Sequence, residues 1–424
     1  MHIFALIFME GVKNIISEVR SHFPALETSM NGRRLVYLDN AATTQKSREV
    51  LEFISGAMVN KNANVHRSMY ALSDLATEAY EAAREKVRSF INAPERENII
   101  FTSGTTASIN LVASSFCQAF LKEGDAVLIE ADSHHSNIVP WQLAAQRVGA
   151  FIKVLPIDGS GNLCTNLAES LLTPEVKIVA LTQVSNVLGV ENTIAEIIKI
   201  AHKKGIPVLV DGAQGVVHSE VDVQKMDCDF YAFSAHKIYG ATGVGILYGK
   251  RDWLEKMPPY MGGGDMVETV TYQKTTYAPL PLKFEAGTPN FTGAASLLPA
   301  LETAEYLRRG EVGEALKKEE RAIVSFMMEK LSQIADVEIY GTPENLELKH
   351  PIFSFNVKGV NAGDMAQILD KMGVAVRSGL MCAEPLINSF GATSALRASF
   401  APYNTLEEAD YFVQCLQRAL QMLK

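Results

Sequence analysis

Short apolar runs separated by stretches of helical spacing constrain the fold most strongly. The runs are NIIFT (98–102), AVLIEA (126–131), FIKVLPI (151–157), KIVALTQV (177–184), PVLVD (207–211), FYAFS (230–234) and VGILYG (244–249). Each is continuous rather than alternating, which is typical of strands buried on both faces. Helical stretches between them, such as 190–204, predict right-handed crossovers and a mostly parallel sheet.

The rest of the chain predicts a second, smaller unit. Residues 256–290 are rich in Gly, Pro and Tyr and are interpreted as an irregular connection, whereas 295–335 has helical spacing. Short strands and a C-terminal helix at 405–423 follow. We therefore predict a large α/β domain over 32–295, and a smaller α+β domain from 1–31 and 296–424. Within the large domain, a helix over 73–91 is expected to begin at Ser73 as its N-cap.

Composition narrows the class of protein. The 424 residues are 47% apolar and 21% charged, which provides a large core and excludes global disorder. A net charge of −9 without a basic run argues against nucleic-acid binding. Five scattered cysteines without a CxxC pair support neither a disulfide framework nor a zinc knuckle, and no metal is predicted. This usage fits a reducing compartment.

The first nine residues, MHIFALIFM, are the only membrane-like feature. They are too few to span a bilayer and lack the basic region and cleavage site of a signal peptide. We interpret them as an apolar extension that packs on the body, or as the product of an upstream start codon with Met9 as the working start. No membrane partner is predicted, and a cytoplasmic location is expected.

Polar residues end several of the predicted strands, where ligands bind in such sheets. The turn at 102–106, with small hydroxyls and a glycine before a helix, could bind an anion, although it could also be an ordinary N-cap. Asp211 and Lys237 follow two other runs and are 26 residues apart, one strand–helix–strand step. They should end neighbouring strands, where a structural ion pair is the alternative interpretation.

His134 and His135 form an adjacent pair after another run. Neighbours in sequence rarely face one metal ion, so a stacking surface for an aromatic ligand is the better functional interpretation. Pyridoxal 5′-phosphate is bound by four kinds of group, and all four are present here: a turn that can bind an anion, a ring that can stack, a carboxylate and a lysine. The lysine bonds its aldehyde, the carboxylate keeps the pyridine nitrogen protonated, and the turn holds the phosphate.

Cys382 follows a glycine-containing turn near Arg377. It could be a mobile, activated thiol or a buried, inert one, and composition does not choose between them. The other four cysteines lie in apolar or helical contexts and are expected to be inert.

Collinear motifs over nearly the whole chain carry a family resemblance. They include YLDNAATTQK, FTSGTTASIN, HHSNIVPWQ, VSNVLG, VDGAQG, DCDFYAFSAHKIYG, FEAGTPNFTG and RASFAPYN. The chain resembles the group II (SufS-type) cysteine desulfurases, pyridoxal-phosphate enzymes of the class V aminotransferase superfamily with the aspartate-aminotransferase fold (fold type I). The resemblance implies a large cofactor-binding domain with a seven-stranded sheet, and a small domain that carries a nucleophilic cysteine.

The resemblance also implies roles for individual residues. Lys237, Cys382 and His134 would be catalytic, and Asn186, Arg397 and Arg377 would bind the substrate. The implied cofactor-binding residues are Thr105, Thr106, His134, Asp211, Gln214, Ser234, His236, Lys237 and Thr288. Thr288 would reach the other subunit's cofactor, so the implied active unit is a homodimer with shared sites.

The implied reaction removes sulfur from L-cysteine. It yields L-alanine and a persulfide on Cys382, which passes to a sulfur-acceptor protein for Fe–S cluster or other sulfur-cofactor assembly. Met381, Ala107, Gln183 and Met261 stand where the family usually has titratable residues. A selenocysteine lyase, another enzyme of the same fold or a weakly active scaffold for assembly partners are the alternatives.

Overall fold

The computed structural model describes residues 2–66 and 69–424. Its α-helices are α1 (His2–Ser21), α2 (Arg48–Asn60), α3 (Ala71–Phe90), α4 (Thr105–Phe120), α5 (Val139–Val148), α6 (Ala168–Leu171), α7 (Ile194–Lys203), α8 (Gly215–His218), α9 (Val223–Met226), α10 (Arg251–Lys256), α11 (Phe291–Ala295), α12 (Leu297–Tyr306), α13 (Gly310–Ser332), α14 (Ala362–Lys371), α15 (Glu384–Ser389) and α16 (Leu406–Leu423).

The β-strands alternate with these helices along much of the chain. They are β1 (Ser29–Met30), β2 (Arg33–Arg34), β3 (Val36–Tyr37), β4 (Ile99–Thr102), β5 (Ala126–Glu130), β6 (Phe151–Leu155), β7 (Val176–Thr182), β8 (Val208–Asp211), β9 (Phe230–Ser234), β10 (Gly245–Gly249), β11 (Val267–Val270), β12 (Thr275–Tyr277), β13 (Val337–Tyr340), β14 (Ile352–Val357), β15 (Val374–Ala375), β16 (Arg377–Gly379) and β17 (Ala395–Ser399).

A seven-stranded sheet forms the centre of the molecule, in the order β4-β10-β9-β8-β7-β5-β6. Strands β5 to β9 pair in parallel, and β10 is antiparallel to both of its neighbours. The predicted mostly parallel sheet is therefore confirmed. The expectation of burial on both faces is wrong for the edge strand β6, where Phe151 and Val154 are 44% and 49% exposed.

Helices cover both faces of this sheet. Along β7, Val179 and Leu181 belong to one apolar cluster, whereas Ile178 and Ala180 belong to the cluster on the opposite face. Because side chains alternate along a strand, a sheet covered on both sides requires apolar residues at every position. This is the physical origin of the continuous runs.

A second sheet, β13-β14-β17-β16, is antiparallel and packs in an apolar cluster with α13, α14 and α16. The short strand β3 pairs in parallel with β15, and Val36 and Leu38 belong to this same cluster. An α/β body with a smaller α+β part is thus confirmed as the architecture. The domain boundaries at residues 32 and 296 stay predictions.

Four local expectations need correction. Helix α3 begins at Ala71 after Tyr70, and Ser73 lies inside it because its hydroxyl donates to the carbonyl oxygen of Asn64 at 2.7 Å instead of capping. The section expected to be irregular contains the β11–β12 hairpin. The helical stretch 295–335 is divided into α12 and α13. The run VAVRS is divided between β15 and β16 because the two pieces pair with different strands.

The predicted role of residues 1–9 concerns side chains that lie outside the described structure. The backbone of α1 begins at His2, but the side chains of residues 1–10 lie outside the described residues, so the role of 1–9 stays a prediction. Among the described residues, no helix has both the length and the apolar character needed to cross a bilayer. The cytoplasmic location stays a prediction.

Candidate active site

A cavity of about 230 Å³ lies at the carboxyl ends of the central strands. It brings together every predicted site residue except Thr288. These residues are Thr105, Thr106, His134, Asn186, Asp211, Gln214, Ser234, His236, Lys237, Arg377, Cys382 and Arg397. Thr288 is exposed and lies outside the cavity lining.

Asp211 and Lys237 face the cavity from adjacent strands. Asp211 is the last residue of β8, and Lys237 ends a short 3₁₀ turn that follows β9, the parallel neighbour of β8. Burial lowers the pKa of Lys237 to about 8, although the Asp211 carboxylate raises it in part. Burial in turn raises the pKa of Asp211, and Lys237 opposes that shift. The two groups therefore interact at the strand edge, as their spacing predicts.

The turn after β4 offers hydrogen-bond donors to an anion. The N–H of Thr105 donates to the Ser234 hydroxyl oxygen at 2.8 Å, and the two hydroxyls lie 2.7 Å apart. The amide groups of Thr106 and Ala107, at the start of α4, have no acceptor among the residues that the structure describes. Free amides at a helix N-terminus, together with hydroxyls, are suited to a phosphate group.

Close backbone packing shapes this turn. A Cβ atom on Gly245, the first residue of β10, would lie 2.4 Å from the Cα of Gly104. Only glycine at position 245 lets β10 run this close to the turn. The same contact brings Ser234 of β9 to Thr105, so residues of the sheet and of the loop together form the anion-binding turn.

His134 presents a neutral imidazole to the cavity. Its Nδ1 accepts a hydrogen bond from the amide of Ser136 at 3.0 Å, which assigns the ring proton to Nε2. Burial lowers the pKa of His134 to about 3, and the charge of Lys237 contributes to this shift. A flat, uncharged ring beside a lysine is suited to stacking on an aromatic ligand.

Arg397 is the most deeply buried cation of the cavity, with 2% of its surface exposed. Its guanidinium donates to the carbonyl oxygen of Asn186 at 2.9 Å and to the carboxylate of Asp39 at 3.0 Å. Its Nε has no hydrogen-bond partner among the described residues. An unpaired donor on a buried cation favours binding of an anionic group such as a carboxylate.

Cys382 lies on a short loop between β16 and α15 in a constrained conformation. Met381 and Cys382 both have positive φ angles, 53° and 55°, which are uncommon for residues with side chains. Such strain persists where surrounding contacts impose it. The Asn186 side-chain amide donates to the carbonyl oxygen of Met381 at 2.9 Å, and an Arg377 nitrogen lies 3.9 Å from the Cys382 sulfur.

His135 is a site residue that the sequence interpretation missed. Its backbone N–H donates to the carbonyl oxygen of Cys382 at 2.6 Å, and its ring Nε2 accepts from the amide of Glu384 at 3.0 Å. Both contacts hold the loop of the cysteine. The adjacent His pair was the available signal, but only the fold shows that its second member faces this loop.

Two carboxyl groups lie buried near the site, on and after β5. Glu130 accepts from the amide of Thr182, and Asp132 accepts from the Asn192 side chain at 3.2 Å. Burial raises the pKa of both groups, that of Asp132 to about 6. One oxygen of each carboxyl lacks a partner in the described part of the chain.

Two of the four departures from the family pattern have a visible structural role. The Gln183 amide oxygen accepts from the hydroxyl of Tyr231 at 2.7 Å, and Met381 is packed in an apolar cluster at 2% exposure. Ala107 lies in the first turn of α4, whereas Met261 is 58% exposed.

The donor set fits pyridoxal 5′-phosphate. The Asp211 Oδ1 accepts from the amide of Ala213 at 3.0 Å, while its other oxygen has no hydrogen-bond partner within residues 2–66 and 69–424. The side-chain amide of Gln214 donates one of its two N–H groups to the Ala41 carbonyl oxygen at 2.7 Å, so the other N–H group is available to a ligand. Together with the amine of Lys237 and the free amides of the turn, these atoms match an aldehyde, a ring nitrogen and a phosphate.

Comparison with known proteins agrees with this geometry. The aminotransferase class-V family model matches residues 36–412. The chain belongs to this family. Within the family it groups with cysteine desulfurases, because full-length relatives carry that name. The confirmed resemblance extends to the family and its fold, whereas the group II subtype stays a prediction.

Three relatives illustrate the similarity. The cysteine desulfurase of Cronobacter sakazakii is 44% identical, over 96% of this chain and 99% of the relative. That of Pectobacterium atrosepticum is 43% identical, over 96% and 98%. The crystal structure of the cysteine desulfurase CsdA (S-sulfonic acid) from Escherichia coli aligns with a TM-score of 0.87 and 39% identity, and covers 96% of this chain and 99% of that one.

Proposed function

We propose that this class-V family member is a pyridoxal-phosphate-dependent cysteine desulfurase. It transfers the sulfur of L-cysteine to the Sγ atom of Cys382 and releases L-alanine. The observation that carries the proposal is that one cavity is lined by Cys382, by the Asp211–Lys237 pair and by Arg397, a buried cation with an unpaired donor.

The cofactor would be held by polar residues that line the cavity. Lys237 would bond its aldehyde, Asp211 would pair with its ring nitrogen, and His134 would stack on the ring. Thr105, Thr106, Ser234 and His236 would bind its phosphate, and Gln214 would donate to the ring oxygen. When bound, the protonated ring withdraws electrons from the substrate's α-carbon and so weakens the bond to its proton.

The remaining cavity residues act on the substrate. Arg397 binds the carboxylate with its unpaired nitrogen, and Asn186 orients Arg397 through its carbonyl oxygen. The Nζ of Lys237 would be released when the substrate's amino group takes its place on the cofactor, and would then accept the α-proton. Its lowered pKa of about 8 leaves part of this amine neutral near neutral pH. Arg377, with a nitrogen 3.9 Å from the Cys382 sulfur, orients the side chain that accepts the substrate's sulfur.

The persulfide assay tests this function. The full-length chain with its cofactor is incubated with L-cysteine, and L-alanine and the mass of the Cys382 peptide are measured. We expect alanine formation and a gain of one sulfur atom on Cys382. Loss of both in Cys382→Ser supports the proposal, whereas alanine formation by Cys382→Ser at the wild-type rate overturns it.

A second cysteine provides the matched control. Cys164 is partly exposed, while Cys117, Cys228 and Cys415 are buried. Cys164→Ser should form alanine and the Cys382 persulfide as the wild type does. Turnover of L-selenocysteine without turnover of L-cysteine would instead identify a selenocysteine lyase. Absence of turnover with both substrates and an acceptor protein would favour the scaffold alternative.

The partners form a further part of the proposal. Thr288 is exposed and outside the cavity of its own chain, which is compatible with a contact to the cofactor of a second copy in a homodimer. Dilution to monomers should then weaken cofactor retention, and tight retention by a monomer would exclude a shared site. A sulfur-acceptor protein of an Fe–S assembly system takes the persulfide sulfur in this proposal.

A further inference from the structure

A second cavity, of about 590 Å³, lies between α8, α13 and the segment before β14. Two imidazoles and a carboxylate line it: His218, His350 and Glu320. One nitrogen or oxygen atom from each of these side chains lies within 4.8 Å of the others. These residues are far apart in sequence, and none belongs to the active-site cavity.

His218 offers ring nitrogens that could bind a metal ion. Its ring stacks on that of His350, with centroids 4.8 Å apart and planes 28° apart. Neither of its nitrogens forms a hydrogen bond with the parts of the chain that the structure describes. Both nitrogens are thus available as donors, and a free imidazole nitrogen is the group of histidine that binds metals.

His350 is already oriented as metal-bound histidines are. Its Nε2 lies 3.0 Å from a Glu191 oxygen, and its Nδ1 lies 3.8 Å from a Glu320 oxygen. A carboxylate on the far nitrogen of a histidine fixes the ring and strengthens the near nitrogen as a ligand.

We propose that His218, His350 and Glu320 form a structural site for one divalent transition-metal ion of the zinc type. Histidine nitrogen and carboxylate oxygen are ligands that zinc prefers, and water completes four-coordination. Ligands about 2.1 Å from zinc are roughly 3.4 Å apart, so donor atoms that now lie within 4.8 Å of one another would move closer by up to about 1.4 Å when the ion binds. The ion would bind Nδ1 of His350 in its deprotonated form, with any proton passing to solvent, while Nε2 keeps its hydrogen bond to Glu191.

Charge and placement define what the site would do. The carboxylates of Glu320 and Glu191 offset the nearby Arg308, which donates to the carbonyl oxygen of Val217 at 3.0 Å. The ion would join the end of α8 to α13 and to the segment before β14. Helix α8 follows Gln214 directly, so the ion would stiffen the support of the active site rather than take part in the reaction.

Zinc binding by the full-length, cofactor-loaded protein tests the proposal. After treatment with a chelator, bound zinc is measured by equilibrium dialysis for the wild type, His218→Gln and Glu320→Gln. His202→Gln is the matched control, because His202 also contacts two carboxylates, Asp227 and Asp229, but has no second histidine. All variants keep the same cysteine thiols, which can also bind zinc. A difference in zinc binding between the variants therefore reports on the site of His218 and Glu320.

We expect the wild type and His202→Gln to bind one zinc ion per chain with the same affinity. In His218→Gln and Glu320→Gln the affinity for this ion should be at least tenfold weaker. Saturating zinc should raise the Tm of the wild type by several degrees and leave that of His218→Gln unchanged. Cobalt bound in place of zinc should give visible bands of nitrogen and oxygen ligation without a thiolate band. Equal zinc affinity in the wild type and His218→Gln, or equal Tm shifts, overturns the proposal. His218→Gln removes no hydrogen bond, and circular dichroism verifies its fold.

Discussion

The backbone N–H of His135 donates to the carbonyl oxygen of Cys382 at 2.6 Å, and thereby ties the loop after β5 to the loop of the cysteine. The ring of the same residue accepts from the amide of Glu384 at 3.0 Å. A residue next to His134 thus holds the loop of Cys382, the cysteine that we propose as the sulfur acceptor. The two strained positive φ angles at Met381 and Cys382 persist within this set of contacts.

His135→Ala should slow sulfur transfer without loss of the cofactor. The substitution removes the ring acceptor of Glu384 and loosens the loop, and misplacement of a reacting group by about 1 Å can cost roughly a hundredfold in rate. We expect kcat for alanine formation to fall by about tenfold or more, with cofactor absorbance unchanged. His135→Gln, which retains an acceptor, should recover part of the rate. A rate for His135→Ala equal to that of the wild type would contradict the positioning role.

Cofactor loading should follow the titration of Lys237. Only the neutral amine attacks an aldehyde, and burial lowers the pKa of Lys237 to about 8, below the value of about 10.4 for a free lysine. The rate of loading into the cofactor-free protein, followed by its yellow absorbance, should rise with pH and level off above about 8. In Asp211→Asn the midpoint should move to lower pH, because Asp211 raises the pKa of Lys237. A wild-type midpoint near 10 would refute this prediction.

Asp132→Asn should stabilise the fold at alkaline pH. Burial raises the pKa of Asp132 to about 6 from 3.8, so the folded state binds the proton more tightly than the unfolded state. Stability is then lost as pH rises from about 4 through 6. The amide carries no charge to bury, so we expect a gain of about 3 kcal/mol in the free energy of unfolding at pH 8. The gain should vanish near pH 4 in urea titrations.

Asp158→Asn is a control of opposite sign. Burial would raise the pKa of Asp158, but hydrogen bonds from Asn162 and Ser160 outweigh it and lower the pKa. This group therefore stabilises the fold above its unfolded pKa, and its substitution should not increase stability at pH 8. A gain at pH 8 that is equal in both variants would show that the effect does not come from the burial of Asp132.

Glu285→Ala should be among the most destabilising single changes. The carboxylate accepts from Arg84 at 2.6 and 2.9 Å and from the amide of Phe101 at 2.7 Å, and Arg84 has no exposed side-chain surface. Removal leaves the buried guanidinium with Glu81 and the Ile99 carbonyl oxygen as partners, and takes an acceptor from the Phe101 amide and the Tyr80 hydroxyl. We expect this to cost about 3 kcal/mol. Urea unfolding should measure this loss.

Glu347→Ala is the matched comparison. Its ion pair with Arg321 at 2.6 Å is as short, but the two side chains are 67% and 59% exposed. Exposed pairs contribute at most about 1 kcal/mol, because water and salt screen them. Equal losses for Glu285→Ala and Glu347→Ala would contradict the assignment of the cost to burial.

Residues of the site at strand ends were predictable because their placement follows from local patterns. Continuous apolar runs identify strands covered on both faces, and parallel strands bring their carboxyl ends to one edge. The spacing of Asp211 and Lys237 therefore placed them on adjacent strands, which the structure confirms. The family motifs extended the same prediction to Cys382, Asn186 and Arg397, whose side chains do line the cavity.

The sequence by itself therefore determined the fold class and many of the polar residues that line the cavity, since these depend on periodicity, strand ends and motif order. Only the tertiary structure decided that His135 holds the cysteine loop, that Arg84 pairs with Glu285, and that His218 stacks on His350. Each of these contacts joins residues far apart in the chain, and no local pattern encodes which distant side chain a buried polar group meets. These partners are determined when the sheet and its helices pack together. Buried donors and acceptors must then pair with the polar groups that packing brings within hydrogen-bond distance.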